Sequence, residues 1–399
     1  MLMTTPDRIY LDNAATSWPK PAVVWDAMDE YNRQLGAPAG RSAYAEASEV
    51  ERAVKSARSG IARLLVAEDP RHMVFCFNGT DALNMAIFGV LRRGYDRKSH
   101  VVTTVCEHNS VLRPLRALAD AGEIEVTYVR CDQHGVVDAE EFVQALRPDT
   151  RLAAIVHASN VTGALQPVEA IAAAIHEFDC RLLVDAAQTL GHVPVDVGEL
   201  GCDLLAAPGH KGLLGPLGTG VLYVRPGCER ELVPFRIGGT GTRSEDDRQP
   251  ESMPERLEAG SHNVPGLVGL GTAVDWLRAK GVEKIREHEL QLSTQLWSAL
   301  AEIDGVTLHG PREATERCGV ISFNIDGFAP QEVASMLDAT CRIQVRAGLH
   351  CAPRMHQALG TLTSGGTVRI SLGAFNTAAE IETTIEAVSQ IAAARTQMS

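Results

Sequence analysis

Between residues 60 and 225 the chain alternates short, continuous apolar runs with stretches of helical periodicity. Residues 73–77, 101–105, 124–129, 152–156, 181–184, 204–206 and 220–224 read as strands buried on both faces. Helical patterns fall between most of them, at 81–91, 110–121, 138–146 and 167–177. Such alternation predicts an α/β unit whose mostly parallel, seven-stranded sheet is covered by helices. Ligands of such sheets bind beyond the carboxyl ends of the strands, so the loops there are where chemistry is to be sought.

The pattern changes at residues 236–263, whose first half is Gly-rich, charged and almost free of large apolar residues. It reads as a mobile loop or a segment fixed by a partner surface. Helical patterns at 266–278 and 282–302 follow, and a smaller α+β unit closes the chain. There, 320–325, 343–345 and 367–372 read as strands, and 331–337 and 378–393 as helices. The expected division is a large α/β domain over 20–262 and a small domain over 263–399 joined by 1–19. No internal repeat or low-complexity tract is present.

A length of 399 residues with 45% hydrophobic and 22% charged positions gives ample core for an ordinary globular protein. No apolar run approaches the roughly 20 residues of a membrane span, and the first residues lack the pattern of a secretory signal. A net charge of -13 with scattered arginines argues against a nucleic-acid partner. Nine cysteines without a C-x-x-C pair support neither a disulfide framework nor a zinc cage, so the expected compartment is reducing and cytoplasmic, and no metal is expected.

Only six lysines occur. Lys20, Lys55, Lys98, Lys280 and Lys284 lie in polar or helical surface contexts, whereas Lys211 follows the apolar run ending at Pro208 as Gly209-His210-Lys211-Gly212. A lysine there can lose its proton and form an imine with an aldehyde; a solvated loop lysine is the plainer alternative. Asp185 ends another apolar run and is either a cap or internal ion-pair partner, or the partner of a protonated ring nitrogen, with Gln188 near the same ring. Asn78-Gly79-Thr80-Asp81 opens a helix and is a phosphate cradle, a helix cap, or both. His108 is a hydrogen-bonded structural group or a ring that stacks on a planar cofactor and shuttles protons. Cys351 sits in a loop after Arg346 and His350, cations that favour thiolate, unless it is an incidental exposed thiol. Arg369 is a ligand group or a surface cation.

These motifs, in this order, resemble the class V, fold-type I pyridoxal-phosphate enzymes, and within them the cysteine desulfurases. The resemblance runs from Tyr10-Leu11-Asp12-Asn13 to Phe375-Asn376-Thr377, with Glu107-His108, Ser159-Asn160, Asp185 to Gln188, Gly209 to Lys211 and Arg346 to Cys351 as its signatures. It implies pyridoxal 5'-phosphate held by Lys211, with His108 stacked on the ring, Asp185 at its nitrogen and Gln188 near its phenolic oxygen. Gly79, Thr80 and His210 would hold the phosphate, joined by Ser261 from the neighbouring subunit of a homodimer. Asn160 and Arg369 would take the substrate carboxylate, and Arg346 would lie near the sulfur. The implied activity turns L-cysteine into L-alanine, leaving a persulfide on Cys351 for an acceptor thiol on a sulfur-acceptor protein, as in iron-sulfur cluster assembly. Selenocysteine lyase, another β-lyase or a class V aminotransferase are the alternatives. Pro208, Leu349 and Tyr44 depart from the pattern: many relatives carry a phosphate-binding hydroxyl in place of Pro208 and a histidine in place of Tyr44, and one branch has a second histidine in place of Leu349. The short span from Cys351 to Arg369 is similar to the branch with a compact cysteine loop.

Overall fold

The computed structural model describes residues 8–39, 44–93, 98–241 and 246–394. Of the polar segment expected after residue 236, residues 242–245 lie outside these, as do the chain ends at 1–7 and 395–399. The described chain begins with a short strand, β1 (Ile9–Tyr10), followed by α1 (Ala22–Glu30) and α2 (Ala45–Leu64). Neither helix was expected. Yet Val50, Val54, Ala57 and Ile61 are buried along one face of α2, at the spacing of a helix stripe.

Then come β2 (Met73–Cys76), α3 (Gly79–Leu91), β3 (Ser99–Thr104), α4 (Asn109–Asp120), β4 (Ile124–Val129), α5 (Ala139–Gln144), β5 (Thr150–Val156), α6 (Val168–Ile175), β6 (Arg181–Asp185), α7 (Val197–Leu200), β7 (Leu204–Pro208) and β8 (Gly220–Val224). Strands β2 to β8 form a seven-stranded sheet in the order β2-β8-β7-β6-β5-β3-β4. Only β8 runs antiparallel to its neighbours. Two apolar cores, one on each face, bury the central strands, which explains their unbroken apolar runs. The carboxyl ends of β3, β5, β6 and β7 consequently open on one edge, the edge from which His108, Asn160, Asp185 and Lys211 follow.

Helix α8 (Val264–Lys280) packs its buried face with residues of α1 and α2 in one of these cores. The division after residue 262 expected above assigns α8 to the smaller unit; we propose that the boundary falls after α8 instead. The rest is α9 (Val282–Ala301), β9 (Val306–His309), β10 (Val320–Ile325), α10 (Pro330–Cys341), β11 (Ile343–Gln344), β12 (Arg346–Gly348), α11 (Pro353–Ala358), β13 (Thr367–Ser371) and α12 (Ala378–Ala394). Its antiparallel sheet has the order β12-β13-β10-β9, and β11 pairs with β1. The single strand expected over 343–345 is thus two. Residues 343–344 join the amino-terminal strand, and the chain turns at Val345 so that β12 joins β13.

One buried ion pair fixes the segment ahead of Ser261. Arg58 on α2 makes a two-pronged contact with Glu258, 2.6 and 2.9 Å, and the Phe75 N–H donates to the same carboxylate at 2.6 Å. Removing one partner leaves a buried charge uncompensated, so Glu258→Ala is expected to destabilise the protein by about 3–5 kcal/mol. Chemical denaturation of the variant and parent checks this.

Candidate functional site

One cleft of about 220 Å³ is lined by Asn78, Gly79, Thr80, His108, Ser110, Asn160, Asp185, Gln188, Pro208, His210, Lys211, Arg346 and Arg369 among others. Almost every site residue expected from the sequence meets here. Cys351 stands at its edge: the Arg346 Nη2 that lines the cleft donates to Cys351 Sγ at 3.4 Å. Ser261 does not line it. Ser261 is exposed at a separate depression beside Phe77 and Arg236.

Lys211 is half-buried, and desolvation, with Arg369 and Arg346 adding, lowers its pKa to about 8 against the opposing pull of Asp185 and Asp12. An amine so placed is neutral in a useful fraction near neutral pH. Asp185 closes β6 with its carboxyl group buried, which raises its pKa; the Ala187 N–H, donating at 3.0 Å, and Lys211 offset part of this. Asp185 thus accepts a local backbone N–H and lines the cleft at once.

The same holds at the opposite end. Asn78 Oδ1 accepts from the Asp81 N–H at 2.9 Å and caps α3, while Gly79 and Thr80 face the cleft. A Cβ on Gly79 would stand 3.1 Å from Pro208 Cδ, so the proline packs flush against the glycine and offers neither hydroxyl nor N–H. His108 begins α4, and its Nδ1 accepts from the Ser110 N–H at 3.0 Å. Burial, then Lys211 and three arginines, bring its pKa down to about 4. It is neutral at pH 7 with its proton on Nε2.

The smaller sheet supplies the cations. Its register sets Arg346 directly opposite Arg369, an arrangement of like charges that is unfavourable unless anions lie nearby. Arg369 Nη2 donates to Asp12 at 2.7 Å and Nη1 to the Asn160 carbonyl at 3.0 Å, while its Nε is buried without a partner. Asn160 in turn donates to the His350 carbonyl at 2.5 Å, and the Asn109 N–H to the Cys351 carbonyl at 2.8 Å. The cysteine loop, with φ of +48° at His350 and +61° at Cys351, is thereby pinned to the larger unit.

Two expectations need correction. His350 does not act as a cation beside Cys351. Its Nε2 meets Thr367 Oγ1 at 3.0 Å, and burial together with Arg369, His356 and Arg346 pushes its pKa far down, so the ring is neutral. Arg346 alone supplies the charge. Lys20 is not a surface lysine either. Its Nζ donates to Ser17 Oγ at 2.9 Å and to the carbonyls of Ser17 and His210 at 3.1 Å, and burial lowers its pKa to about 8. Thr16 Oγ1 and the Ser17 N–H also donate to the His210 carbonyl, at 3.1 and 3.0 Å. The backbone just ahead of Lys211 is thus clamped by residues 16–20.

Ser110 and Asp12 were not singled out as site residues, although Ser110 lies two positions after His108 at a helix start. Glu107, next to His108 in the chain, has a pKa raised to about 8 by burial and accepts from Thr104 Oγ1 at 2.7 Å and the Val156 N–H at 3.0 Å. The donor set suits a flat, doubly anionic ligand: hydroxyls and a helix start at one end, guanidiniums at the other, a carboxylate and an amine between. The buried, partnerless Nδ1 of His210 and Oδ1 of Asn160 show polar capacity still to be met. Among the described residues, no group of three or more His, Cys, Asp or Glu is gathered as a metal site, and no helix is long and apolar enough to cross a membrane.

Comparison with known proteins agrees with this geometry. Residues 9–384 match the family model described as aminotransferase class-V. A protein of Methanothermobacter thermautotrophicus named "Probable cysteine desulfurase" is 38% identical over 97% of this chain and 95% of its own. A cysteine desulfurase of Haloferax volcanii is 32% identical over 96% of this chain and 89% of its own. The apo structure of a cysteine desulfurase from Thermococcus onnurineus superposes with a TM-score of 0.91 at 32% identity, covering 97% of this chain and 95% of that one.

Proposed function

The chain belongs to the cysteine desulfurases of the class-V aminotransferase family, and from that premise we propose how its own residues divide the conversion of L-cysteine to L-alanine. The observation that carries the proposal is that Lys211, Asp185, His108 and Arg369 line one cleft whose Arg346 touches the Cys351 sulfur. Pyridoxal 5'-phosphate, when bound, supplies an aldehyde that joins an amine and a protonated ring that accepts the electron pair released at Cα.

Lys211 would hold that aldehyde, Asp185 would keep the ring nitrogen protonated, and His108 and Gln188 would flank the ring. Gly79, Thr80 and His210 would take the phosphate. Ser261, exposed at a depression that it shares with Phe77, the residue before Asn78, fits a contact made across a homodimer. Arg369 and Asn160 orient the substrate carboxylate. With the cofactor and substrate bound, the freed Lys211 Nζ would take the Cα proton and return it to Cα after the sulfur has left, with His108 Nε2 positioned to relay a proton along the way. The Cys351 sulfur, steadied as an anion by the Arg346 guanidinium, attacks the substrate sulfur. The carbon–sulfur bond breaks with its electron pair left on carbon, which is protonated to the methyl group of alanine. Cys351 then bears the extra sulfur, ready for an acceptor thiol.

Incubation with L-cysteine tests this directly. Alanine should form, not pyruvate, and the Cys351 peptide should gain the mass of one sulfur. Pyruvate as the main product, or an unmodified Cys351 peptide during turnover, would overturn the assignment in favour of a β-lyase.

The depressed pKa of Lys211 gives a second test. Only the neutral amine joins an aldehyde, so capture of pyridoxal phosphate by the cofactor-free protein should accelerate with rising pH and level off above a midpoint near 8. An ordinary lysine would still be rising at about pH 10. Stopped-flow absorbance across pH 6 to 10 distinguishes the two.

A further inference from the structure

Among the described residues that line the cleft, only Thr80 and Ser110 carry an aliphatic hydroxyl. These two touch: Thr80 Oγ1 and Ser110 Oγ are 2.7 Å apart. Ser110 Oγ also lies 2.9 Å from His108 Nδ1, the atom to which the Ser110 N–H donates at 3.0 Å. A backbone N–H can only donate, so Nδ1 is an acceptor with or without the hydroxyl. The Ser110 proton therefore has two settings. Turned to His108, it is a second donor to Nδ1 and leaves Thr80 donating to Ser110. Turned to Thr80, it releases the Thr80 proton toward the cleft, the direction an anionic oxygen requires.

We propose that Ser110 is a positioning residue that couples the phosphate end of the cleft to His108, through the chain Thr80 Oγ1, Ser110 Oγ, His108 Nδ1. The inference rests on the reading that Gly79 and Thr80 receive the cofactor phosphate. An anion at Thr80 selects the second setting, strengthens its own hydrogen bond and withdraws one donor from Nδ1. The ring that covers the cofactor thereby senses whether the phosphate is seated. Pro208, which offers no donor on its side of the cradle, leaves this pair of hydroxyls as the side-chain O–H donors available there.

The test compares pyridoxal phosphate with pyridoxal, which lacks the phosphate, on the parent protein, Ser110→Ala and Ser110→Thr. The bond that Ser110 Oγ makes behind Thr80 is between neutral groups, and its loss corresponds to a drop in affinity of about fivefold. Ser110→Ala should weaken pyridoxal phosphate by that factor and pyridoxal by less than about twofold, and Ser110→Thr should restore the difference. The nitrogen-15 shift of His108 Nδ1 should respond to phosphate-bearing ligand more than to pyridoxal in the parent, and equally to both in Ser110→Ala. Equal weakening of both aldehydes, or none of either, would mean that Ser110 serves only the start of α4, and the inference falls. If the parent itself takes up no pyridoxal phosphate, the underlying cofactor reading fails instead.

Discussion

Replacing Cys351 with alanine is expected to lower alanine formation from L-cysteine by at least about a thousandfold, in the range seen when a nucleophile is removed, while the protein keeps its cofactor. The expectation follows from where the sulfur sits. Cys351 contacts Arg346 but does not itself line the cleft that holds Lys211, Asp185 and Thr80. Its loop is fixed by backbone atoms, through the Asn109 N–H on the Cys351 carbonyl and the Asn160 amide on the His350 carbonyl. Alanine keeps those contacts and makes the same backbone demand as cysteine at φ +61°, so the variant removes a sulfur and little else. Selenocysteine, with its weaker carbon–selenium bond, should lose less in the same variant. Undiminished sulfide release from cysteine in the presence of a reductant would show that Cys351 is not the nucleophile.

How far the sequence carried this picture depended on whether the signal was local. Strands 124–129, 220–224 and 320–325 match the structure residue for residue, because continuous apolar runs bounded by turns admit few other readings. Asn78 was legible as a helix cap and a cradle residue at once, and it does cap α3 while bordering the cleft, since the end of strand β2 is also the start of the next helix. Contacts between distant segments were not legible. Lys20 lies among prolines and a tryptophan in the sequence, yet its acceptors include a carbonyl 190 positions later. His350 next to a cysteine suggests a cation that favours thiolate, but its ring turns toward Thr367, which belongs to a strand reached only after an intervening helix. The opposition of Arg346 and Arg369 is a matter of strand register, and no spacing within either motif reveals it.

Lys211→Ala should be the more severe lesion, removing both the covalent anchor and the base that takes the Cα proton. General-base removal alone costs up to about ten-thousandfold, and the loss of the anchor adds to it, so turnover of L-cysteine is expected to fall below detection. The other lysine with a lowered pKa, Lys20, offers no substitute. Its ammonium is held by three acceptors, one of them the His210 carbonyl, and it is not among the residues lining the cleft. Borohydride should accordingly fix a pyridoxyl group to Lys211 in the parent and to no lysine in the variant, as peptide mass analysis would read. A small primary amine added to Lys211→Ala should restore part of the proton transfer, with a pH dependence that follows the added amine rather than the midpoint near 8 of the parent. Undiminished turnover in the variant, or a pyridoxyl group found on Lys20, would remove the chemical centre from residue 211. The half-buried amine would then be a structural charge balanced by Asp185, and the low pKa that singles it out would be only the cost of its desolvation.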